Sequence, residues 1–378
     1  MSATLIMTYL LFYASYYWTV DSSDYHVVRP NCSFSAFRQI AKYTSSGYLS
    51  GRGSWKRNSK RKLVRFYPSL CRLQYGMRIP SERVTDCLRR QNVRYIAIIG
   101  DSNGMRYFRA LHWHLSQLRG VKCAPIGRHV IINWTTYEQN NMYTIHRCNC
   151  GSTDSGRCTI VFKTAFLDRR YMRDWVLQAQ CHIDAGNFLV ALEFTLLRKT
   201  IEYKDYFMLN RTGCQPGRHE PVIPTISDTS QRFLLAEYFH DPRPDLFIVF
   251  GNAHDHMPLR DLIIDLDAFA ALIDQYVTPP TRLIWLSRFA EDARRKPEYF
   301  RKLEINGTRL QWLDAANRLM YERMRGRFLD KKSLLLFPDL LPMSTAVLDD
   351  FNIDGVHMHP DWYQHVMSYI LQTLCAGE

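Results

Sequence analysis

The chain has 378 residues, 46% hydrophobic and 13% aromatic, so it can bury one large core or two modest ones. This composition excludes a disordered, collagen-like or coiled-coil protein. The formal net charge of +13 suits anionic partners, but no zinc-finger, RNP or helix-turn-helix pattern accompanies it, and we therefore expect no nucleic-acid partner.

An uncharged apolar run occupies residues 4–20, almost at the first Met. It predicts that residues 1–20 are a signal peptide or an uncleaved signal anchor, with a buried N-terminal helix or strand as the alternative. The absence of basic residues before the run disfavours a cleaved peptide, and a length of about 17 residues is short for an anchor. We expect a secretory-pathway protein, in the Golgi lumen or outside the cell, that contacts a membrane only if this segment is uncleaved.

The cysteines and glycosylation sequons agree with that compartment. An even number of cysteines, ten in all, suits disulfide bonds, although their pairing cannot be read from the sequence. Cys148 and Cys150, with Cys158 nearby, could instead bind zinc, but no second paired motif supports this, and we expect neither metal nor cofactor. Sequons for N-glycosylation begin at Asn31, Asn133, Asn210 and Asn306.

Residues 21–90 are polar, basic and punctuated by Gly, Ser and Pro. We interpret them as an N-terminal extension that disulfides pin to the main body. Within it, Lys and Arg cluster at residues 52–65, which predicts a solvated loop or a groove for an anionic glycan or a membrane surface.

Residues 91–378 alternate short apolar runs with amphipathic segments, which predicts an α/β domain around a mainly parallel sheet. Several apolar runs are continuous, as in strands that are covered on both faces. The predicted strands are 95–99, 130–134, 160–162, 188–192, 246–250, 283–286 and 334–337. The predicted helices are 104–118, 228–239, 259–276, 308–325 and 361–374, and the less regular residues 135–230 are interpreted as an insertion.

Three polar clusters follow or face strand ends, where ligands bind in parallel sheets. Ser102 lies at a strand–Gly–Asp–Ser–helix junction and could be a nucleophile at a helix N-terminus, or it could simply cap the helix, as could Asp101. Asp354 and His357 lie three apart around a Gly, so one turn can hold the carboxylate against the imidazole. His359 and Asp361 offer a second pairing of the same kind.

The third cluster follows the predicted strand 246–250. Asn252 could donate its amide to a developing oxyanion. The residues His254, Asp255 and His256 could line the same site or bind metal, and lining is the interpretation we favour.

Taken in their order along the chain, the three clusters resemble the sequence blocks of the SGNH, or GDSL-like, hydrolase superfamily. The Gly100–Ser102 block, Asn252 and the Asp354–His357 block carry the likeness. The Ser69-Leu-Cys-Arg-Leu segment and Arg106 bring it closest to the eukaryotic PC-esterase branch, which includes polysaccharide O-acetyltransferases and neurexophilin-and-PC-esterase proteins.

The resemblance implies a three-layer α/β/α sandwich and a triad of Ser102, Asp354 and His357, with Asn252 as oxyanion donor and Arg106 and His254 lining the substrate site. It also implies acyl transfer on a carbohydrate or similar ester, either to water or to a sugar hydroxyl. A catalytically inactive, secreted binding protein on the same scaffold is the alternative. A structural disulfide-rich extracellular protein is the third hypothesis, and the strand-end position of Ser102 disfavours it.

Overall fold

The chain divides into two compact units, Met1–Pro30 and Asn31–Glu378. The computed structural model describes residues 30–33, 35–38, 53–57, 63–69, 71–75, 79–125, 130–131, 142–148, 157–163, 176–183, 188–196, 206–210, 235, 239, 243–250, 259–296, 309–331, 333–336 and 340–376. Within these residues no helix is long and apolar enough to cross a bilayer. The apolar run at 4–20 lies outside them.

Strands and helices alternate through most of the second unit. In chain order the described strands are β1 (Gly53–Arg57), β2 (Leu63–Pro68), β3 (Tyr95–Gly100), β4 (Val121–Pro125), β5 (Val130–Ile131), β6 (Met142–Cys148), β7 (Arg157–Lys163), β8 (Val176–Ile183), β9 (Phe188–Leu196), β10 (Tyr206–Asn210), β11 (Leu246–Phe250), β12 (Arg282–Leu286) and β13 (Leu334–Leu336). The described helices are α1 (Ser81–Arg90), α2 (Ser102–Ser116), α3 (Leu259–Tyr276), α4 (Arg309–Asp330), α5 (Leu340–Thr345), α6 (Leu348–Phe351) and α7 (Pro360–Cys375).

The main sheet has the strand order β13-β12-β11-β3-β9-β8-β4. The strands from β13 to β9 are parallel, and β8 and β4 are antiparallel additions at one edge. Every residue of β3 and β11 is buried, which explains why their sequences are continuous apolar runs. The prediction of a mixed α/β fold with a mainly parallel sheet is confirmed.

The centre of the sheet contains a reversal of strand order. β3 lies between β9 and β11. The chain leaves β3 for the edge strand β4, returns through β8 to β9 beside β3, and then builds the other side outward from β11 to β13. Ligands of open parallel sheets bind at the carboxyl ends of strands beside such a reversal. The first residues after β3 therefore occupy the favoured position for a site.

Two groups of helices pack in this unit. α2 contacts β3, β9 and β4, and α7 packs against α2 and α1, whereas α3 packs against α4. In α3 the buried residues recur every three or four positions, from Leu262 through Leu266 and Phe269 to Ile273, because one helix face is apolar. α7 is buried along nearly its whole length, which makes it the central helix of its group.

Three disulfides tie the described segments together. They are Cys32–Cys71, Cys87–Cys375 and Cys123–Cys181. The second joins α1 to the last residue of α7, across 288 positions, and the amide of Gln91 donates to the carbonyl of Leu374 beside it at 2.8 Å. A bond that closes so long a loop stabilises a fold by about 2–5 kcal/mol. Residues assigned to the extension are thereby fixed to the end of the domain.

The β1–β2 hairpin covers part of α7. Trp55 packs edge-on against His365 with ring centroids 5.0 Å apart, and its indole N–H donates to the carbonyl of Met343 at 3.0 Å. Phe66 adds an apolar contact to Tyr369. The hairpin is therefore packed against the core through Trp55 and Phe66.

The same hairpin carries the described part of the basic stretch. Arg57 binds the carboxylate of Asp350 at 2.5 Å, and Arg65 donates to the carbonyl of Leu73 at 2.6 Å. Two cations of this stretch thus make contacts inside the chain, while Lys56 is exposed. The proposed affinity of the stretch for anionic glycans or membranes stays a prediction.

A second sheet occupies the region interpreted as an insertion. It is antiparallel, with the order β10-β7-β6-β5. The strand predicted at 130–134 is described only at Val130–Ile131, and the helix predicted at 228–239 lies outside the described residues except for positions 235 and 239.

His365 makes the free energy of unfolding depend on pH, and this dependence can be measured. Burial, reinforced by the neighbouring His114 and opposed by Asp361, lowers the pKa of His365 from 6.5 to about 4. Between these values the unfolded chain binds a proton that the folded chain does not. The stability from neutral His365 is therefore present above pH 6.5 and lost as the pH falls to about 4, which amounts to ~3 kcal/mol.

We predict that His365→Phe removes this share of the pH dependence. Urea unfolding at pH 7 and pH 4 should show a free-energy difference smaller by about 3 kcal/mol in the variant than in the wild type. His182→Gln, at an exposed histidine of β8, is the control and should leave the wild-type difference unchanged. Equal differences in wild type and His365→Phe would contradict the assignment.

Candidate active site

Ser102 lies at a sharp strand-to-helix junction. β3 ends at Gly100, where a Cβ would lie 3.0 Å from the Cβ of Phe250, so a larger residue would push β11 away by a few tenths of an ångström. Asp101 is the N-cap of α2, and its carboxylate accepts from the N–H of Asn103 at 2.7 Å. Because Asp101 caps the helix, the hydroxyl of Ser102 is available for another partner.

Asp354 and His357 lie in a closed turn before α7. Asn352 and Met358 pair across the base of the turn, and the N–H of Ile353 donates to the carbonyl of His357 at 2.9 Å. At the tip, Gly355 has a φ of +89°, a left-handed conformation that favours glycine. The sequence Asp-Gly-Val-His therefore reverses direction within four residues.

A neighbouring segment, residues 291–296, supports this turn. The N–H of Asp292 donates to the carbonyl of Gly355 at 2.9 Å, and the guanidinium of Arg295 donates to the carbonyl of Asn352. A Cβ on Gly355 would lie 2.4 Å from the backbone nitrogen of Lys296. Contact with this segment thus leaves no space for a side chain at position 355.

The structure brings Ser102, His357 and Asp354 into one hydrogen-bonded chain. The Oγ of Ser102 lies 2.7 Å from the Nε2 of His357, and the Nδ1 of His357 lies 2.7 Å from Oδ2 of Asp354. The other carboxylate oxygen accepts from the backbone N–H of His357 at 2.8 Å. An ionised Asp354 requires a proton on Nδ1, which leaves the lone pair of Nε2 facing the serine hydroxyl.

The electrostatics favour the ionised carboxylate. Partial burial alone would raise the pKa of Asp354, but hydrogen bonds from the His357 ring, from its backbone and from the N–H of Val356 outweigh it. The pKa of Asp354 therefore lies below its usual range. His357 keeps a fifth of its side chain exposed, so a substrate can reach it.

The second pairing that the sequence offered does not reach Ser102. His359 is the N-cap of α7, and its ring accepts from the N–H of Asp361. Its Nδ1 lies 3.6 Å from the Asp361 carboxylate, and both side chains are about half exposed. They pair with each other, and their contacts stabilise the helix end.

The other predicted site residues are less fully described. Asn252 and His254 lie outside the described residues, as do Asn133 and Asn306. Asn31 is exposed and Asn210 ends β10, so no contact tests either as a glycosylation site. Arg106 lies one helical turn after Ser102, where its Nε is buried without a hydrogen bond. Burial raises the pKa of Tyr363, and the charge of Arg106 partly offsets this rise.

Metal binding finds no support in the described part of the chain. Groups of three or more His, Cys, Asp or Glu side chains that could hold an ion are absent from those residues. Of the suspected zinc ligands, Cys148 and Cys158 lie on the neighbouring strands β6 and β7, and Cys150 lies outside the described residues.

Sequence reasoning missed two groups that hold the site together. One is the supporting segment 291–296. The other is Tyr363, whose hydroxyl contacts Asn103 and Met358, the residues that follow Ser102 and His357. In the sequence, Asn103 and Met358 directly follow two residues of the candidate triad. This adjacency does not reveal that Tyr363 contacts both of them.

We predict that Gly355→Ala displaces His357 from Ser102 while the protein still folds. The new methyl group must displace the 291–296 segment, so modification of Ser102 by a fluorophosphonate should slow about 100-fold. The control is Gly120→Ala, where φ is +77° but no atom lies within 4 Å of the added Cβ. It should lower the free energy of unfolding by about 1 kcal/mol without slowing modification. Equal rates for the two variants would show that the turn does not set the geometry.

Comparison with known proteins adds little to this geometry. No protein-family model matches the chain, and no curated protein matches its sequence. Among solved structures, one match is a DUF4886 family protein from Bacteroides uniformis, which is 13% identical, with a TM-score of 0.29 over 74% of this chain and 82% of that chain. At that TM-score the likeness carries no argument, and the site is interpreted from its own residues.

Proposed function

We propose that the protein is a serine-dependent acyl-ester hydrolase or O-acyltransferase. Ser102 is the nucleophile, His357 the general base and Asp354 the carboxylate that orients the base. The observation that carries this proposal is the pair of 2.7 Å contacts that join the three side chains. A serine is a weak nucleophile unless a positioned base removes its proton, and this arrangement supplies one.

The first half of the reaction forms an acyl-enzyme. The Oγ of Ser102 attacks the ester carbonyl while its proton passes to Nε2 of His357, and Asp354 stabilises the resulting imidazolium. The tetrahedral intermediate then collapses, the ester bond to the alcohol breaks, and His357 returns the proton to the leaving alkoxide. In the second half, water or a sugar hydroxyl attacks the acyl-enzyme while His357 takes its proton. The bond between the acyl carbon and the Oγ of Ser102 then breaks, and His357 returns the proton to Ser102.

The charge that develops on the carbonyl oxygen needs donors. The N-terminus of α2 is the positive end of the helix dipole, directly at Ser102. The N–H of Asn103 is already bonded to Asp101 and is not a free donor. We assign the side-chain amide of Asn252 to this role, because β11 ends two residues earlier, next to β3.

The finer fold assignment is part of the same proposal. A serine after the central strand, an Asn block after the adjacent strand and an Asp-x-x-His block before the last helix follow the order of the SGNH superfamily. We propose a three-layer α/β/α sandwich, with α2 and α7 on one side of the sheet and α3 and α4 on the other. The separate packing of these two helix pairs supports it.

The substrate class rests on the compartment and the resemblance. Three disulfides among the described cysteines suit an oxidising lumen. The sequons and the apolar segment at 4–20 favour the secretory pathway, in the Golgi lumen or outside the cell. Together with the likeness to PC-esterases, these features favour an acyl ester of a glycan as substrate and no cofactor.

A catalytically inactive binding protein is the second candidate. It would be free to lose any member of the triad. All three side chains are present, and His357 is held by its turn, by the N-cap of α7 and by the 291–296 segment. Retention of this geometry favours the enzyme.

We predict that Ser102→Ala abolishes both labelling by a fluorophosphonate probe and turnover of a p-nitrophenyl acyl ester, by at least about a thousandfold. The substitution removes one oxygen from a partly exposed position, so the melting temperature should stay unchanged. Ser116→Ala, at the other end of the same helix, is the matched control and should label at the wild-type rate. Equal labelling of Ser102→Ala and wild type would refute the assignment, and no labelling of the wild type would favour the binding protein.

A further inference from the structure

Tyr363 lies in the first turn of α7, completely buried between the two segments of the candidate site. Its ring packs edge-on against Tyr107, with centroids 5.0 Å apart, and against Trp362 at 5.3 Å. Phe289 contacts it at 6.3 Å. These neighbours fix the ring, so the hydroxyl has a defined position.

The hydroxyl of Tyr363 makes two directed hydrogen bonds. The backbone N–H of Met358 donates to it at 3.1 Å, and it donates in turn to Oδ1 of Asn103 at 2.5 Å. The direction is determined, because an N–H can only donate, which leaves the hydroxyl proton for the oxygen of Asn103. Burial raises the pKa of Tyr363 far above its usual range, so the group stays a protonated donor.

These two bonds connect the backbone of the base to the turn of the nucleophile. Met358 directly follows His357, and Asn103 directly follows Ser102. One oxygen atom, on a residue 260 positions after Asn103 in the chain, therefore joins these two segments immediately behind the contact between the reacting side chains.

We propose that Tyr363 is a positioning residue that holds His357 in register with Ser102, an inference that rests on the proposed function. It touches neither the substrate nor the reacting atoms. Without its hydroxyl, the N–H of Met358 and Oδ1 of Asn103 would both be buried unbonded, and the turn would shift to find new partners. A displacement of about 1 Å between nucleophile and base costs on the order of 100-fold in rate.

The test compares Tyr363→Phe with Tyr369→Phe. Tyr369 lies in the same helix and is equally buried, but its hydroxyl faces the Cys32–Cys71 disulfide, 3.6 Å from the Sγ of Cys71. Both variants lose one buried hydroxyl, and only one of them loses the link between the segments. Modification by a fluorophosphonate is measured as its maximal rate and its half-saturating concentration, at a temperature well below both melting points.

Tyr363→Phe should lower the maximal rate 10- to 100-fold, with the half-saturating concentration unchanged. The rate should fall by the same factor at every pH, because the contact between His357 and Asp354 is retained. Tyr369→Phe should keep the wild-type rate even if its stability falls. A wild-type rate for Tyr363→Phe, or an equal loss in both variants, would overturn the proposal.

Asn103→Ala provides a second variant that removes the acceptor instead of the donor. If one bridge is at work, the double variant with Tyr363→Phe should be no slower than the slower single variant. Independent, multiplicative losses would show that the two residues act separately and would count against the bridge.

Failure of the proposed function can be told from failure of this inference. If the wild type is not modified at all, the proposed function fails, and the nitrogen resonances of the His357 ring become the measurement. They should shift in Tyr363→Phe and stay unchanged in Tyr369→Phe. An unchanged His357 in both variants would refute the positioning role, whether or not the protein is an enzyme.

Discussion

The hydrogen bond between Ser102 and His357 joins positions that are 255 residues apart, and most of the described architecture contributes to it. β3 delivers Ser102 to the reversal point of a parallel sheet, and α7 holds the turn that carries His357. Neither segment can make the contact by itself. The fold therefore brings an imidazole beside a hydroxyl, which is the arrangement that nucleophilic catalysis by serine requires.

Stability of the turn depends on its contact with residues 291–296. Lys296 and Glu291 form a buried ion pair at 2.5 Å directly beneath Gly355. Such pairs add little net stability because both charges lose their hydration, but loss of one partner is costly. We infer that the pair helps to select one arrangement of the segment. The Cys87–Cys375 bond then fixes the far end of α7 to α1.

The parts of the fold that the sequence predicted are those with strong hydrophobic patterns. The predicted strand 246–250 and helix 259–276 match the structure residue for residue, because each is either fully buried or regularly amphipathic. Helix α1 was missed because only four of its ten residues are buried and the rest are polar. The antiparallel edge strands were missed because hydrogen bonding to a neighbour leaves no signature in a single sequence.

The candidate site divides in the same way. Ser102, Asp354 and His357 could be selected because their short motifs, in this order along the chain, resemble those of a hydrolase superfamily. Tyr363 and the 291–296 segment could not, because their roles arise from contacts across the fold. The central claim is that Ser102 carries the acyl group during turnover. Acid quenching during turnover of p-nitrophenyl acetate, followed by peptide mass spectrometry, tests this most directly. We predict an acetyl group on Ser102. An acetyl group on another residue, or none during measurable turnover, would contradict the assignment of Ser102 as nucleophile.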